Sequence, residues 1–102
     1  MKRTKIQNEM RAQVLKAMAH PSRLTMLDAL EAGDLCVCDL QQLVGSDMST
    51  VSKHLSVLKN AGLVKDRKEG LRVFYSLRVP CIMGFFGCVE AVLEDRRKNL
   101  KA

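Results

Sequence analysis

Two cysteines separated by a single residue are the side chains in this sequence best suited to chemistry. Cys36 and Cys38 lie in a polar-flanked segment directly upstream of residues 48–60, which have the pattern of a DNA-reading helix. Thiolates select soft ions, and a Cys-x-Cys pair supplies two of the three sulfurs that a trigonal As(III) or Sb(III) accepts. The sequence therefore predicts a soft-ion site joined to a DNA-binding element.

The spacing of this pair limits how it could bind an ion. Residues i and i+2 of a regular helix do not face one another, so Cys36 and Cys38 converge only if the helix starts late or its first turn unwinds. A helix N-terminus lowers the pKa of a thiol, which makes the thiolate more available. Chelation would then displace the first helix of the DNA-binding pair. The alternative is that each cysteine is a small buried hydrophobe.

The other two cysteines, Cys81 and Cys88, are seven residues apart, which places them two turns apart on one helix face. They could supply the third sulfur, form a separate site across a dimer, or be packing residues. Four cysteines in a chain whose N-terminus lacks the apolar core of a signal peptide favour a reducing compartment, so we expect a cytoplasmic protein.

Length and charge narrow the class of protein. The 102 residues predict a single domain over 1–102. A chain of this length buries only a small core, so we expect a homodimer that buries further apolar surface. The net charge of +6 and the pI near 9.4 indicate a polyanion partner. No apolar run approaches the roughly 18 residues that a membrane helix needs, so no membrane association is expected.

Apolar spacing predicts four helices before any strand. The first runs from about residue 5 to 18, and the second begins at Pro21 and continues towards Gly33. A short third helix is expected from Cys38 or Asp39 to Gly45. The fourth covers 48–60, with Asp47 as its N-cap and Gly62 as its C-terminal cap.

The remainder predicts a hairpin and a last helix. Leu71, Val73, Tyr75 and Leu77 alternate with more polar residues after a turn at 69–70, and 63–64 precede that turn, which indicates two strands. Pro80 is expected to open the last helix, whose apolar face over 82–93 is wider than one small core needs and suits a dimer interface. The predicted order is α-α-α-α-β-β-α.

The third and fourth helices, joined by a tight turn at Gly45, form a helix-turn-helix whose second helix enters the major groove of double-stranded operator DNA. With Val51, Leu55 and Leu58 facing inward, the outward positions of this helix are the candidate DNA contacts: Ser49, Thr50, Ser52, Lys53, Ser56 and Lys59. The hydroxyls at the helix start suit bases or phosphates, and the lysines suit backbone phosphates.

Two further groups of residues could touch DNA. The hairpin is basic, and Arg67, Lys68 and Arg72 are the residues we expect to flank a minor groove. The alternative is a merely solvated charged hairpin. His54 lies at the edge of the inward face of its helix, where a phosphate contact and a packing role are equally compatible with the pattern.

Four motifs occur in one order over nearly the whole chain: residues 15–24 (LKAMAHPSRL), 35–40 (LCVCDL), 49–64 (STVSKHL and LKNAGLV) and 70–77 (GLRVFYSL). In these motifs the chain resembles the ArsR/SmtB family of winged helix-turn-helix repressors, and in particular its arsenic-responsive members. The resemblance implies a mainly α, dimeric repressor with a small β-hairpin, released from operator DNA by As(III) or Sb(III).

The chain departs from that family pattern at the expected third ligand. Arsenic repressors often have another cysteine three residues after the second, and this sequence has Gln41 there. The family's zinc site in the last helix is not expected, since the histidines are His20 and His54 and neither lies in that helix. The N-terminal cysteines of cadmium and lead sensors are also missing, so arsenite or antimonite is favoured as inducer.

Two other function classes are alternatives to a metalloid-responsive repressor. A thiol-based redox or persulfide sensor of the same fold needs one cysteine pair close in space without a metal. An enzyme is the weakest hypothesis, because Cys-Val-Cys lacks Cys-x-x-Cys spacing and no carboxylate pair or Cys/His arrangement suggests acid-base work. No catalytic residue or catalytic cofactor is therefore predicted.

Overall fold

In the computed structural model, which describes residues 2–101, local capping signals determine where the first two helices begin. Helix α1 spans Lys5–Met18, and the Thr4 hydroxyl accepts from the Gln7 amide while the Gln7 side chain accepts from the Thr4 amide, a capping box. Helix α2 spans Pro21–Glu31, with proline at its first position and His20 as N-cap. Both helices match the predicted segments.

The next two helices form the helix-turn-helix. Helix α3 spans Val37–Val44 and ends at Gly45, whose φ of 78° requires a left-handed conformation that glycine adopts without strain. Helix α4 spans Met48–Asn60 and is capped by Asp47, as predicted. The prediction that α3 begins at Cys38 or Asp39 is wrong, because Cys36 already has extended dihedrals and serves as the N-cap.

The sheet has one strand more than the predicted hairpin. Strands β1 (Leu35–Cys36), β2 (Val64–Glu69) and β3 (Arg72–Leu77) form an antiparallel sheet in the order β1-β3-β2. The predicted hairpin is confirmed as β2 and β3, and the sequence analysis missed β1. Two residues are too few to show the alternation that identifies a strand in sequence.

Two boundaries after α4 also differ from the expectation. Leu71, counted among the alternating residues of the second predicted strand, is fully exposed in the turn beside Gly70. Helix α5 spans Ile82–Lys101, so Pro80 lies in the preceding turn rather than at the helix start. The fold class is nevertheless confirmed as mainly helical, with a small antiparallel wing.

The core lies between α2, α3, α4 and the base of the wing. Its fully buried side chains are Met26, Leu27, Leu40, Val51, Leu55, Leu58 and Val64. Helix α5 contributes only partly buried residues from its N-terminal half, such as Ile82 and Phe86. None of the helices in residues 2–101 is long and apolar enough to cross a membrane.

Candidate nucleic-acid interface and thiol site

The outer face of α4 is polar and open. Ser49, Ser52, Lys53 and Ser56 are exposed and Thr50 is half-buried, while the three predicted inward residues of α4 are fully buried. The exposed side chains border a shallow groove of about 690 Å³ that Arg23 of α2 also lines. The arrangement leaves hydroxyls and one ammonium group free to meet a nucleic-acid groove.

The first turn of α4 is fixed by Asp47. Its carboxylate accepts from the Thr50 amide at 2.9 Å and from the Ser49 hydroxyl at 3.3 Å. Hydrogen bonds from Thr50 hold the pKa of Asp47 below its ordinary value. The cap therefore also orients the Ser49 hydroxyl on the outer face of α4.

The other lysine predicted to touch DNA is paired within the protein. The Lys59 Nζ lies 3.1 Å from Asp66 Oδ2, which joins the last turn of α4 to the wing strand β2. Lys53 makes no such ion pair within the described residues. Of the two lysines on this helix, Lys53 is the one whose charge is available to a phosphate.

Arg67 is exposed but is paired with carboxylates of its own chain, and its role as a minor-groove contact stays a prediction. Its guanidinium donates to Glu69 at 3.0 Å and to Asp34, and lies 5.0 Å from the ring centroid of Phe74. The bonds to Glu69 and then Asp34 hold the pKa of Arg67 above its ordinary value. Lys68 and Arg72 are exposed near the wing tip, and their contact with DNA stays a prediction.

His54 is a packing residue in this structure. It is 9% exposed, its Nδ1 accepts from Arg23 Nε at 3.0 Å, and its ring lies 4.4 Å from that of His20 between centroids. Burial, followed by the charges of His20 and Arg23, lowers the pKa of His54. Of the two roles left open by sequence, the geometry favours packing over phosphate contact.

The two thiols of the Cys-x-Cys pair have different environments. Cys36 is 5% exposed, pairs with Phe74 of β3 in the sheet, and is the N-cap of α3. Cys38, in the first turn of α3, is exposed. Cys36 is therefore buried, as in the alternative left open by sequence, and Cys38 is not. An ion that binds both must first bring the Cys36 sulfur out of the interior.

The remaining cysteines are not brought to this pair. Cys81, in the turn before α5, and Cys88, within α5, are both exposed, so neither is the buried hydrophobe that sequence left open. Among residues 2–101, no three cysteine, histidine or carboxylate side chains lie together as a metal site would require. A third sulfur from Cys81 or Cys88 of the same protomer is thus not in place.

Comparison with known proteins identifies the family. Residues 20–66, which contain the helix-turn-helix, match the model of the bacterial regulatory protein arsR family. The chain is 39% identical over 89 residues to a transcriptional repressor SmtB homolog of Synechocystis, covering 87% of this chain and 67% of that protein. The chain belongs to the ArsR/SmtB family. It is a DNA-binding transcriptional repressor of that family.

The names of individual relatives refer to different signals. The chain is 45% identical over 67 residues to a cadmium resistance transcriptional regulatory protein CadC homolog of Staphylococcus aureus, covering 65% of this chain and 55% of that protein. It is 41% identical over 66 residues to the arsenical resistance operon repressor of Escherichia coli, covering 64% and 56%. The chain thus spans little more than half the length of these two ArsR/SmtB proteins.

A solved structure adds the state of assembly for one relative. The homodimeric winged helix-turn-helix DNA-binding domain of Mb0332 from Mycobacterium bovis superposes with a TM-score of 0.79 at 30% identity, covering 97% of this chain and 92% of that one. The likeness extends over α1 and α5, which lie outside the matched family segment.

Sequence reasoning missed three side chains that organise this ArsR/SmtB fold. Arg23 bonds to the recognition helix α4, Asp34 bonds to Arg67, and Phe74 lies under that arginine. Their partners are 31 or more residues away in sequence for the two polar contacts. No local spacing marks such pairs, although Arg23 lies in one of the quoted motifs.

Proposed function

We propose that this ArsR/SmtB repressor leaves its operator when As(III) or Sb(III) binds the thiolates of Cys36 and Cys38. One observation carries the proposal. Cys36 is at once a residue of the wing sheet, through β1, and the N-cap of α3, the first helix of the DNA-binding pair. A ligand at this point would act on both DNA-binding elements.

The donor chemistry favours a soft, thiophilic inducer. Two thiolates without a neighbouring histidine or carboxylate cluster offer little to zinc, which takes four ligands from sulfur, nitrogen and oxygen. Trigonal As(III) or Sb(III) accepts three sulfurs, of which this segment supplies two. The third comes from an exogenous thiol or from a cysteine of a second protomer. The relatives named for arsenical and cadmium resistance support the same soft class.

Burial of Cys36 supplies the conformational step. Because its sulfur is inside and that of Cys38 is outside, chelation would pull Cys36 away from β3 and lose the pairings Leu35 to Tyr75 and Cys36 to Phe74. It would also unwind the first turn of α3. A helix N-terminus stabilises the thiolate that binds, so ion binding and unwinding are linked at the same residues.

The contacts of the wing give this step a route to DNA. Arg67 joins Asp34, the residue before β1, to Glu69 and Phe74 of the wing. Removing β1 would break that link and leave the wing and α3 in new positions relative to α4. An inducer shifts the DNA-bound population only by its preference for one conformation, and couplings of about 1–3 kcal/mol are typical. Each backbone hydrogen bond contributes about 1 kcal/mol, so the free energy lost with the pairing of β1 is large enough to account for such a coupling.

We propose a homodimer as the binding unit. Large apolar side chains of α1, α2 and α5 are exposed around a groove of about 390 Å³, among them Leu15, Leu24, Phe85, Val89 and Leu93. A second copy would cover this surface and place two α4 helices about one DNA turn apart. The homodimeric relative supports this arrangement.

A redox or persulfide sensor is the second candidate, favoured by the exposure of Cys81 and Cys88. Seven residues of helix separate two positions by about 10 Å, which exceeds the Cα separation of a disulfide, about 4.4–6.8 Å. A direct disulfide between these two cysteines within one protomer does not fit this separation, so the sensor would use a longer sulfur-bridged link or a bridge between protomers.

Operator release distinguishes the two candidates. A duplex is first selected from a random-sequence pool by the wild-type protein, and this selected duplex is fluorescently labelled for anisotropy. The reduced complex is then titrated with arsenite, antimonite, cadmium, peroxide and polysulfide. We expect release by arsenite and antimonite in wild type and in a Cys81→Ser,Cys88→Ser variant. Release by peroxide or polysulfide alone, abolished in that variant, would establish the redox alternative.

A further inference from the structure

Arg23 joins three helices at the back of the recognition helix. Its Nε donates to His54 Nδ1 of α4 at 3.0 Å, and its Nη1 donates to the Ala17 carbonyl, at the end of α1, at 3.2 Å. Arg23 itself lies in the first turn of α2 and is half-buried. One guanidinium thus fixes α4 against the corner where α1 meets α2.

The partner of Arg23 on α4 lies directly behind the DNA-facing surface. His54 follows Lys53 in the sequence and lies between the exposed Ser52 and Ser56, while its own ring points inward. A rotation of α4 that loses the bond to His54 would turn these exposed residues away from a bound groove. Bases are read only when side chains are held in register with the duplex.

We propose that Arg23 and His54 are positioning residues for operator binding, and that this positioning is lost in mild acid when His54 takes up a proton at Nδ1. The proton comes from solvent and occupies the lone pair that accepts from Arg23, so the hydrogen bond is replaced by two facing donors. The proposal rests on the DNA-binding activity of the family and is independent of the inducer.

The charges around His54 act in one direction. Arg23 of α2 and the N-cap of that helix, His20, contact the His54 ring, and Lys16 of α1 lines the same groove as Arg23. On α4 itself the neighbour is Lys53, and the nearest carboxylate, Asp47, is two turns away and occupied as a cap. On β2, Asp66 is paired with Lys59. Among the described residues, no carboxylate contacts the His54 ring to stabilise an imidazolium.

The direction of the pH dependence follows from these contacts. Burial, then the charges of His20 and Arg23, lower the pKa of His54 below its ordinary 6.5. The unfolded chain therefore takes the proton first as pH falls, and the stability of the folded, DNA-competent form decreases below pH 6.5. Affinity for DNA falls by up to about tenfold per pH unit once pH is below the lowered pKa of His54 in the free, folded protein. Added positive charge alone would strengthen DNA binding in acid, so the two explanations predict opposite signs.

The test measures affinity for the selected duplex between pH 8 and pH 5, at fixed salt and without inducer. Wild type should weaken as pH falls below 6.5. His54→Asn keeps an acceptor near the position of Nδ1 but does not titrate, so its profile should be flat. His20→Asn preserves the N-cap and removes a charge that opposes protonation, so its loss of binding should begin at a higher pH.

Arg23→Met provides a second, independent variant. It keeps the stem of the side chain and removes the donor, so affinity at pH 8 should fall about tenfold and the acid-dependent loss should largely disappear. Arg11→Met is the matched control, because that arginine is exposed on α1 and, within residues 2–101, its side chain bonds only to Asn8. Circular dichroism at pH 8 and at pH 5 reports whether each variant is folded.

The proposal is overturned if wild type binds DNA equally or more tightly at pH 5.5, or if His54→Asn loses affinity in acid as wild type does. Should His54→Asn fail to fold, the profile of Arg23→Met decides. If Arg23→Met lost affinity by the same factor at every pH, Arg23 would only stabilise the fold.

Discussion

Substituting Cys36 should affect stability in a way that depends on the replacement. The sulfur is buried and caps α3 by position, yet makes no capping hydrogen bond within the described part of the chain. Serine has nearly the same shape and is a preferred N-cap residue. Cys36→Ser can therefore gain a capping bond that cysteine does not make, whereas Cys36→Ala can only lose contacts.

The magnitudes follow from burial and capping. Removing a buried sulfur resembles deleting one or two buried methylenes, so Cys36→Ala should lower the free energy of unfolding by about 1–2 kcal/mol. In Cys36→Ser a capping hydrogen bond would raise the free energy of unfolding by about 1 kcal/mol relative to Cys36→Ala. The same bond would satisfy the buried serine hydroxyl. We expect Cys36→Ser to lie within about 1 kcal/mol of wild type and above Cys36→Ala. Exposed Cys38→Ser should change stability by less than about 0.5 kcal/mol.

Urea unfolding followed by circular dichroism measures this series. All variants are reduced, free of inducer and compared at one protomer concentration, because the stability of a dimer depends on that concentration. A common slope against urea confirms that only stability has changed. If Cys36→Ser proved less stable than Cys36→Ala, serine would not be capping α3, and the geometry described for the start of that helix would be wrong.

Three further predictions concern DNA contacts, helix capping and assembly. Lys53→Ala should lower affinity for all DNA sequences and reduce the slope of log affinity against log salt by about one unit. Arg67→Ala should reduce that slope by less, because Arg67 is already paired with carboxylates. Equal slopes for the two variants in anisotropy titrations would refute the pairing. Asp47→Ala should lower the melting temperature, and the effect should vanish in strong acid, since hydrogen bonding lowers the pKa of Asp47 and its contribution is lost as pH falls through that pKa; an effect that is independent of pH would contradict this. Val92→Glu should yield monomers in sedimentation at micromolar concentration, and an unchanged dimer would remove α5 from the interface.

Sequence patterns predicted the long helices well because their signals are local. Helix α4 has a capping aspartate, a regular apolar stripe and a glycine after its end, and its bounds were predicted correctly. The start of α3 was placed one or two residues late, because Cys36 forms strand pairs with β3 that no local pattern reveals. Tertiary pairing decided that boundary.

The candidate site shows the same division between local and distant information. The identity and spacing of Cys36 and Cys38 are evident in sequence, but the burial of only one of them is not. Likewise, the basic residues of the wing were recognised, whereas the neutralisation of Arg67 by Asp34 depends on a contact across 33 residues. Charge counts from sequence therefore overstate the charge available to DNA.

Arsenite release in single cysteine variants is the most direct test of the proposed inducer site. The selected duplex, bound by wild type, Cys36→Ser, Cys38→Ser or Cys88→Ser, is titrated with arsenite while anisotropy reports release. We expect wild type and Cys88→Ser to respond, although the latter only partly if a partner protomer supplies the third sulfur. Cys36→Ser and Cys38→Ser should bind DNA yet remain bound in arsenite. Undiminished release from Cys38→Ser would contradict the account.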